Sequence, residues 1–199
     1  MDESNSCLFC LESLEYRVLL PCNHNSMCLK CYIRDKMCYQ HSNCLACQKP
    51  IDSLPIISTD RNIVKYSEGK ARNPTFNPQY QIYLLDPDRT LAYISSLFRY
   101  NCSACSLTFT AFDVFASHLK AHKMRACQIC CASNRFLPGD LTIFKNNSEY
   151  QQHFHSQHPR CPCCSNYYAF DCEQLEKHMF AKHVRCEICA SNNKISWFS

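Results

Sequence analysis

The sequence predicts a string of small zinc-stabilised α+β modules rather than one large domain. Its 199 residues include 19 cysteines, most of them in repeated Cys-x2-Cys pairs, together with nine histidines. Thiolate and imidazole are the ligands that structural zinc sites use in tetrahedral geometry. The segments between ligand pairs are short, so no large core can form and each module needs a metal to hold it together.

A secreted disulfide scaffold is the alternative that such a cysteine content allows. The segment 1–6 is polar and acidic, however, with neither the basic stretch nor the apolar run of a signal peptide. The number of cysteines is odd, and no apolar run approaches the length of a membrane span. These observations favour zinc sites in a reducing, cytoplasmic compartment and predict no membrane partner.

The first module, residues 1–50, contains eight ligands in the order three Cys, one His and four Cys. They are Cys7, Cys10, Cys22, His24, Cys28, Cys31, Cys44 and Cys47. This order is that of a C3HC4 RING finger, whereas a PHD finger has its His in fifth place. The cross-brace arrangement predicts one zinc shared by ligand pairs one and three and a second shared by pairs two and four. Sequential pairing is the alternative.

Residues 51–100 contain no Cys-x2-Cys pair and are predicted to be an α/β spacer that packs on a neighbouring module. Alternating residues over 80–85 predict a strand, and the Asp-Pro-Asp-Arg sequence at 86–89 predicts a turn. Apolar side chains then recur at helical spacing at Leu91, Ile94, Leu97 and Phe98. We therefore expect a strand, a turn and a helix here.

The second half of the chain predicts tandem C2H2 zinc fingers, in which a hairpin carries two Cys and a helix carries two His. Residues 101–123 supply Cys102, Cys105, His118 and His122. Residues 124–159 form an expanded finger with Cys127, Cys130, His153 and His158, where His155 competes with His158. Residues 160–184 supply Cys161, Cys164, His178 and His183, where Cys163 is the alternative to Cys164.

The segment 185–199 carries one further pair, Cys186 and Cys189, but no His. Either this fourth unit is incomplete, or the pair borrows ligands from elsewhere or stays without metal. The sequence thus predicts two zinc ions in the RING, three in the fingers and an incomplete site at the end.

The fingers lack the side chains that read DNA. C2H2 arrays read the major groove through residues at helix positions −1, 3 and 6. In the first finger these are Ala111, Val114 and Ser117, which cannot make bidentate contacts with bases. In the third finger the first of them is Asp171, which phosphate repels. We therefore expect no sequence-specific DNA binding.

Short connections predict that the fingers pack as a block. Four residues separate the first two fingers and two residues separate the next. Residues 99–199 carry eleven Lys and Arg against seven Asp and Glu, whereas residues 1–98 carry ten of each. A mildly basic, rigid block favours a protein surface or structured RNA as its partner.

Taken together, the RING spacing, the segment 80–83, the stretched second finger and the two-residue junction before Cys161 are the features that carry a family resemblance. The chain resembles the RING and C2H2 zinc-finger E3 ubiquitin ligases that sense collided ribosomes. The resemblance implies a ubiquitin-charged E2 enzyme as partner and small-subunit ribosomal proteins of stalled ribosomes as substrates. Relatives continue beyond the equivalent of Ser199 into a further finger and a long low-complexity region.

By analogy with RING fingers in general, the resemblance also implies an E2-binding surface and no catalytic nucleophile. Its expected residues are Phe9, Leu45 and Ala46 in the zinc loops, Ile33 or Met37 as the central apolar contact, and Gln48. Active RING fingers often have Arg or Lys at the position of Gln48, which predicts weaker activation here. The alternative function is a non-enzymatic zinc-finger adaptor or RNA-binding protein whose RING is an interaction surface.

Overall fold

Four short strands form one sheet in the first half of the chain. The computed structural model describes residues 5–186 and 197–198, and the chain divides into two units, Met1–Arg99 and Tyr100–Ser199. The strands of the first unit are β1 (Arg17–Leu19), β2 (Ile56–Ser58), β3 (Thr75–Asn77) and β4 (Ile82–Leu84). Their order in the sheet is β1-β2-β4-β3.

The register of this sheet joins the predicted spacer to the predicted RING module. β1 pairs antiparallel with β2, with Val18 opposite Ile57. β2 pairs parallel with β4, with Ile57 opposite Leu84, and β3 pairs antiparallel with β4. Val18, Ile57 and Leu84 are all buried. Residues 51–99 therefore contribute three of the four strands and belong to the same compact unit as the RING ligands.

Three α-helices lie in the described part of this unit. They are α1 (Leu29–Arg34), which continues into a π-helical turn over Asp35–Tyr39, α2 (Tyr66–Ala71) and α3 (Pro87–Leu97). α2 lies within the crossover between the parallel strands β2 and β4, a connection that cannot be made by a tight hairpin. The predicted helix is present as α3.

The predicted turn at residues 86–89 is the start of α3 instead. The Asp86 carboxylate accepts a hydrogen bond from the backbone N–H of Arg89 at 3.3 Å, and Pro87 occupies the first helical position. Asp is a favoured N-cap residue, and Pro at the first position loses no intrahelical hydrogen bond. The same residues that are typical of a turn thus begin a helix here.

α3 packs its apolar face against the rest of the unit. Thr90 and Ile94 are fully buried, and Leu97 is nearly so. The ring of Tyr93 stacks on Tyr16, with centroids 4.2 Å apart and planes 5° from parallel. Parallel ring stacking of this kind adds about 0.5–1.5 kcal/mol beyond the area that it buries. α3 is therefore fixed directly to the residues that precede β1.

The second unit is a series of hairpin-and-helix modules. The first consists of β5 (Tyr100–Asn101), β6 (Thr108–Phe109) and α4 (Phe112–Ala121). The second consists of β7 (Arg125–Ala126), α5 (Gln128–Ala132), a 3-10 turn (Pro138–Asp140), β8 (Ile143–Phe144) and α6 (Asn147–Gln157). The third has α7 (Cys172–Lys182), preceded by a bridge between Arg160 and Tyr168. β9 (Val184–Arg185) pairs antiparallel with β10 (Trp197–Phe198).

Successive modules of this unit share apolar and aromatic contacts. Ile143 of β8 packs on the core of the first module, around the buried side chains of Phe115 and Leu119. The rings of Phe154 and Tyr168 lie 4.6 Å apart, across the junction between the second and third modules. Each module thus completes part of its neighbour's small core, as close spacing requires.

Within the described residues, the structure contains no helix that combines the length and the apolar character needed to cross a membrane.

Candidate metal centres and docking surface

Five groups of Cys and His side chains lie close enough to share a metal ion, with the ligand atoms of each group within 4.8 Å of one another. The first cluster contains Cys7, Cys10, Cys28 and Cys31, and the second contains Cys22, His24, Cys44 and Cys47. The third cluster contains Cys102, Cys105, His118 and His122. The fourth contains Cys127, Cys130, His153 and His158, and the fifth contains Cys161, Cys164, His178 and His183.

The first cluster is built at the start of α1. Cys28 is the N-cap of that helix and Cys31 lies in its first turn, so both thiols face the same side. The backbone N–H of Cys28 donates to the Cys7 sulfur at 3.3 Å, which ties the first zinc loop to the helix. Cys7, Cys28 and Cys31 are buried. This cluster therefore forms part of the core of the unit.

The second cluster is more open to solvent. Cys44 is buried, but Cys22 and Cys47 are half-buried and His24 is exposed. His24 Nδ1 lies 3.3 Å from the Cys22 sulfur. Ligand pairs two and four thus come together here, while pairs one and three form the first cluster. The geometry is that of the cross-brace and not that of sequential pairing.

The distances within the clusters fit tetrahedral zinc. Zn–S bonds of about 2.3 Å and Zn–N bonds of about 2.0 Å place neighbouring ligand atoms about 3.8 Å apart for two sulfurs, 3.5 Å for sulfur and nitrogen and 3.3 Å for two nitrogens. The sulfurs of Cys10 and Cys28 are 3.7 Å apart. Cys164 Sγ and His178 Nε2 are 3.5 Å apart, and the Nε2 atoms of His178 and His183 are 3.2 Å apart. Donor chemistry and spacing are both compatible with zinc.

One thiol in each of two clusters has a lowered pKa, which favours the charged form that binds a cation. A hydrogen bond with Cys31 lowers the pKa of Cys28 to about 5, and the same contact raises the pKa of Cys31. In the fourth cluster, a hydrogen bond with Cys130 likewise lowers the pKa of Cys127 to about 4. In each of these clusters the contact between the two Cys favours the thiolate of one of them, and the thiolate is the form that binds zinc.

The structure distinguishes between the alternative ligands that the sequence offered in the fourth and fifth clusters. His158 is 2% exposed and lies 3.2 Å from the Cys127 sulfur, whereas His155 is exposed on α6 and outside the cluster. Cys164 is in the fifth cluster and Cys163 is not, since the Cys163 thiol instead lies 3.6 Å from the carbonyl oxygen of Trp197.

The end of the chain is described only in part. Cys186 is half-buried, and its predicted companion Cys189 lies outside the described residues.

The outer ring nitrogens of the His ligands differ between neighbouring clusters. His158 Nδ1 lies 3.2 Å from the carbonyl oxygen of Phe170, which belongs to the next module. His183 Nδ1 is buried and has no hydrogen-bond partner among the residues that the structure describes. A partner on the second nitrogen fixes the tautomer and the orientation of a ligating imidazole. The fourth cluster is thus oriented by the module that follows it.

The expected docking residues of the first unit are mostly accessible. Phe9 and Met37 are 45% and 54% exposed, Ala46 and Gln48 are exposed, and Leu45 is half-buried. Ile33 is 2% exposed, so the expectation that it could supply the central apolar contact is wrong. Its place in α1 turns the side chain into the core, as the apolar spacing of that helix requires. Met37 remains the accessible candidate.

Two apolar side chains that sequence reasoning missed extend this surface. Leu8 is 67% exposed and Leu11 is 80% exposed, both beside Phe9 in the loop around Cys10. Their signal was an apolar run on both sides of the ligand Cys10, in a loop too short to have a core of its own. Leu8, Phe9, His24 and Ala46 together line one small depression, so the two zinc loops and the His24 loop meet there.

Comparison with known proteins agrees with this geometry. A family model for C3HC4-type zinc fingers, or RING fingers, matches residues 3–54. The chain is 27% identical over 191 residues to the E3 ubiquitin-protein ligase hel2 of Schizosaccharomyces pombe, which covers 88% of this chain. Residues 3–54 thus match a RING finger, and most of the chain is similar in sequence to a RING-type E3 ubiquitin ligase. The first and second clusters are accordingly the two metal sites of its RING finger.

A second relative matches a shorter stretch of the chain. Over 53 residues the chain is 40% identical to the E3 ubiquitin-protein ligase MGRN1 of Homo sapiens, which covers 27% of this chain. The chain spans 26% of the length of hel2 and 9% of that of MGRN1. No solved structure matches the chain significantly.

Proposed function

We propose that this chain is an active E3 ligase that transfers ubiquitin from an E2 enzyme to small-subunit ribosomal proteins of stalled or collided ribosomes in the cytoplasm. The observation that carries the ligase activity is the cross-braced pair of clusters with the exposed apolar side chain of Phe9 beside them. The ribosomal substrate rests on the family resemblance of the whole chain and on the modules that follow the RING.

The proposed mechanism requires no covalent step on the ligase. The E2 brings ubiquitin as a thioester, and the RING surface holds that complex in the orientation that favours attack by a substrate lysine. Phe9 and Ala46 would contact the E2 from the two zinc loops, and Met37 would contact it from the π-helical turn. Zinc, when bound, supplies the fixed loop geometry that this surface needs.

We further propose that the third, fourth and fifth clusters are C2H2 zinc fingers that bind the ribosome as one rigid block. The shared contacts between modules, such as the close approach of the tilted Phe154 and Tyr168 rings, support rigidity. The Asp171 carboxylate accepts a hydrogen bond from the backbone N–H of Gln174, so it caps α7 and is not available to read a base. The recognition face of α4 presents the exposed Val114, which suits a protein surface.

Ubiquitin transfer in a reconstituted reaction tests the activity. The reaction contains ribosomes, E1, ubiquitin and a panel of E2 enzymes, with wild-type chain compared to a Cys22→Ala/His24→Ala variant. We expect ribosomal proteins to be ubiquitinated only with wild type, because the variant loses the second cluster. Absence of transfer with every E2 would refute the ligase and leave the non-enzymatic adaptor.

Ribosome co-sedimentation tests the role of the fingers. A chain lacking residues 100–199 should lose binding, while the Cys22→Ala/His24→Ala variant should retain it. Binding that survives the deletion would assign ribosome contact to the first unit instead.

A further inference from the structure

The loop that carries His24 is closed by two backbone hydrogen bonds, from the N–H of Asn23 to the carbonyl oxygen of Leu20 at 2.8 Å and from the N–H of Leu20 to the carbonyl oxygen of His24 at 3.4 Å. It nevertheless lies at the surface, since His24 is exposed and Cys22 is half-buried, whereas Cys28 and Cys31 of the first cluster are buried at the start of α1. Asn23, between them, has a φ of 61°, a left-handed conformation that Asn tolerates better than most residues. Side-chain contacts with the rest of the unit can hold such a surface loop in one geometry.

The contacts come from the start of α2, far along the chain. The Asn25 side-chain amide donates to the carbonyl oxygen of Val64 at 2.6 Å. The backbone N–H of Tyr66 donates to the Asn23 side-chain oxygen at 3.2 Å. These two hydrogen bonds lie on either side of His24 and join residues about forty positions apart. We call them the asparagine clamp.

The start of α2, which forms the other half of the clamp, is fixed by contacts of its own. The Glu68 carboxylate accepts hydrogen bonds from the N–H groups of Val64 and Lys65, which closes the first turn of α2. The Tyr66 hydroxyl donates to the carbonyl oxygen of Leu54 at 2.8 Å. Gly69 brings the helix against Leu19 so closely that a Cβ atom would lie 3.0 Å from that side chain. α2 is therefore a rigid support.

The clamped loop forms one wall of the proposed docking surface. His24 lines the same depression as Phe9 of the first zinc loop and Ala46 of the second. A displacement of the His24 loop would change the shape of this depression and shift the second zinc loop, which shares a cluster with it. The geometry of the surface thus depends on a helix outside the eight-ligand motif.

We propose that Asn23 and Asn25 are positioning residues for E2 docking, and that α2 acts through them to hold the second RING cluster in its binding geometry. This inference rests on the proposed ligase function. The two asparagines do not contact the E2 themselves. Their effect is on the fraction of molecules whose zinc loops are ready to bind it.

Kinetics of ubiquitin discharge test the clamp in the full chain. For Asn25→Ala we expect the KM for the ubiquitin-charged E2 to rise about fivefold, with kcat little changed. A fivefold change corresponds to the net free energy that one hydrogen bond contributes. Asn23→Ala should act in the same way, and Asn23→Asp should restore the wild-type KM because it keeps the acceptor and tolerates positive φ. Zinc content should remain that of wild type in all variants.

A matched control lies in the loop before α2. Asn62 is exposed, and its side chain makes no hydrogen bond to any described residue, so Asn62→Ala should leave KM unchanged. Amide hydrogen exchange over residues 20–27 should be faster in Asn25→Ala than in Asn62→Ala, a difference that does not depend on the E2.

The outcomes separate the two proposals. Wild type that discharges no E2 overturns both the ligase function and the clamp. Active wild type with an unchanged KM in Asn25→Ala overturns the clamp alone, as does a loss confined to kcat. Loss of zinc in Asn25→Ala would overturn the positioning role and make the residue a structural one.

Discussion

Nδ1 of His158 lies 3.2 Å from the carbonyl oxygen of Phe170 and so links the fourth metal cluster to the backbone of the module that holds the fifth. The imidazole is 2% exposed, so no water competes for this contact. Around it, Phe136 lies edge-on to Phe170 with ring centroids 5.9 Å apart. We therefore expect zinc binding at the fourth cluster to depend on the fold of the third hairpin-and-helix module.

Loss of metal at the fifth cluster should weaken zinc binding at the fourth. In Cys164→Ser, the third module should lose its metal and release the Phe170 carbonyl. We expect the zinc affinity of the fourth cluster to fall about 10–100-fold, as it does when an outer partner of a ligating His is removed. Chelator competition measures this. Cys163→Ser is the matched control, because Cys163 lies outside the cluster, and equal affinities in the two variants would contradict the coupling.

Removal of the Tyr93 ring should destabilise the first unit as a whole. Tyr93 stacks on Tyr16 at 4.2 Å, and its burial raises the pKa of its hydroxyl, so the ring remains neutral at physiological pH. Tyr93→Ala should lower the free energy of unfolding by about 2 kcal/mol. Tyr93→Phe, which keeps the ring, should stay close to wild type. Thermal denaturation followed by circular dichroism distinguishes them, and equal losses in both would assign the effect to the hydroxyl.

A side chain at Gly69 should be harmful although it lies in a helix. A Cβ there would lie 3.0 Å from Leu19 and 3.3 Å from Ile56, both of which are nearly fully buried. Gly→Ala gains about 1 kcal/mol of helix propensity, but overpacking of a closed core costs about 1–3 kcal/mol. We expect Gly69→Ala to lose about 1 kcal/mol in urea denaturation and Gly69→Val to lose more. Ser67→Ala on the exposed face of α2 should cause no loss, and a more stable Gly69→Ala would show that Leu19 can move aside.

A cation at position 48 should strengthen ubiquitin transfer. Gln48 is exposed, and its side-chain amide donates to the carbonyl oxygen of Leu45 at 3.2 Å, so it stays close to the second zinc loop. An Arg there could make charge-assisted hydrogen bonds with E2 and ubiquitin, which are about twice as strong as neutral ones. We expect Gln48→Arg to raise the discharge rate about fivefold. Gln48→Ala should lower it, and an unchanged rate in both variants would remove this residue from the interface.

The ligand pairs could be predicted from sequence because their geometry is local. Two Cys separated by two residues can face one point on a tight turn, so each ligand pair is recognisable in the sequence. The sequence left sequential pairing as an alternative to the cross-brace, and the structure shows the cross-brace. The choice of His158 over His155 as the fourth ligand of the fourth cluster could not be decided from the local spacing of residues. α6 ends at Gln157, and His158 adopts an extended conformation that turns its ring back to the sulfur of Cys127. The carbonyl oxygen of Phe170 in the following module then contacts the second ring nitrogen of His158.

The sheet of the first unit could not be predicted from the pattern of residues. The segment 80–85 was expected as a strand and is present as β4, but its partner is the parallel strand β2. β2 in turn pairs with β1, between Cys10 and Cys22 in the sequence. Such pairing depends on contacts between distant segments, for which three-residue strands carry too little information. The contact between Asn25 and the residues at the start of α2 could not be predicted from the sequence for the same reason.

The parallel pairing of β2 with β4 also affects how this protein is made. Synthesis delivers a chain from its amino terminus, and domains generally fold as units once they have emerged. All eight RING ligands emerge early, yet β1 cannot complete its sheet until Leu84 has left the exit tunnel, and the partner of Tyr16 follows at Tyr93. A nascent chain that already holds both metal ions would therefore still lack the side chains of Tyr83 and Leu85 that pack on the core around Leu19.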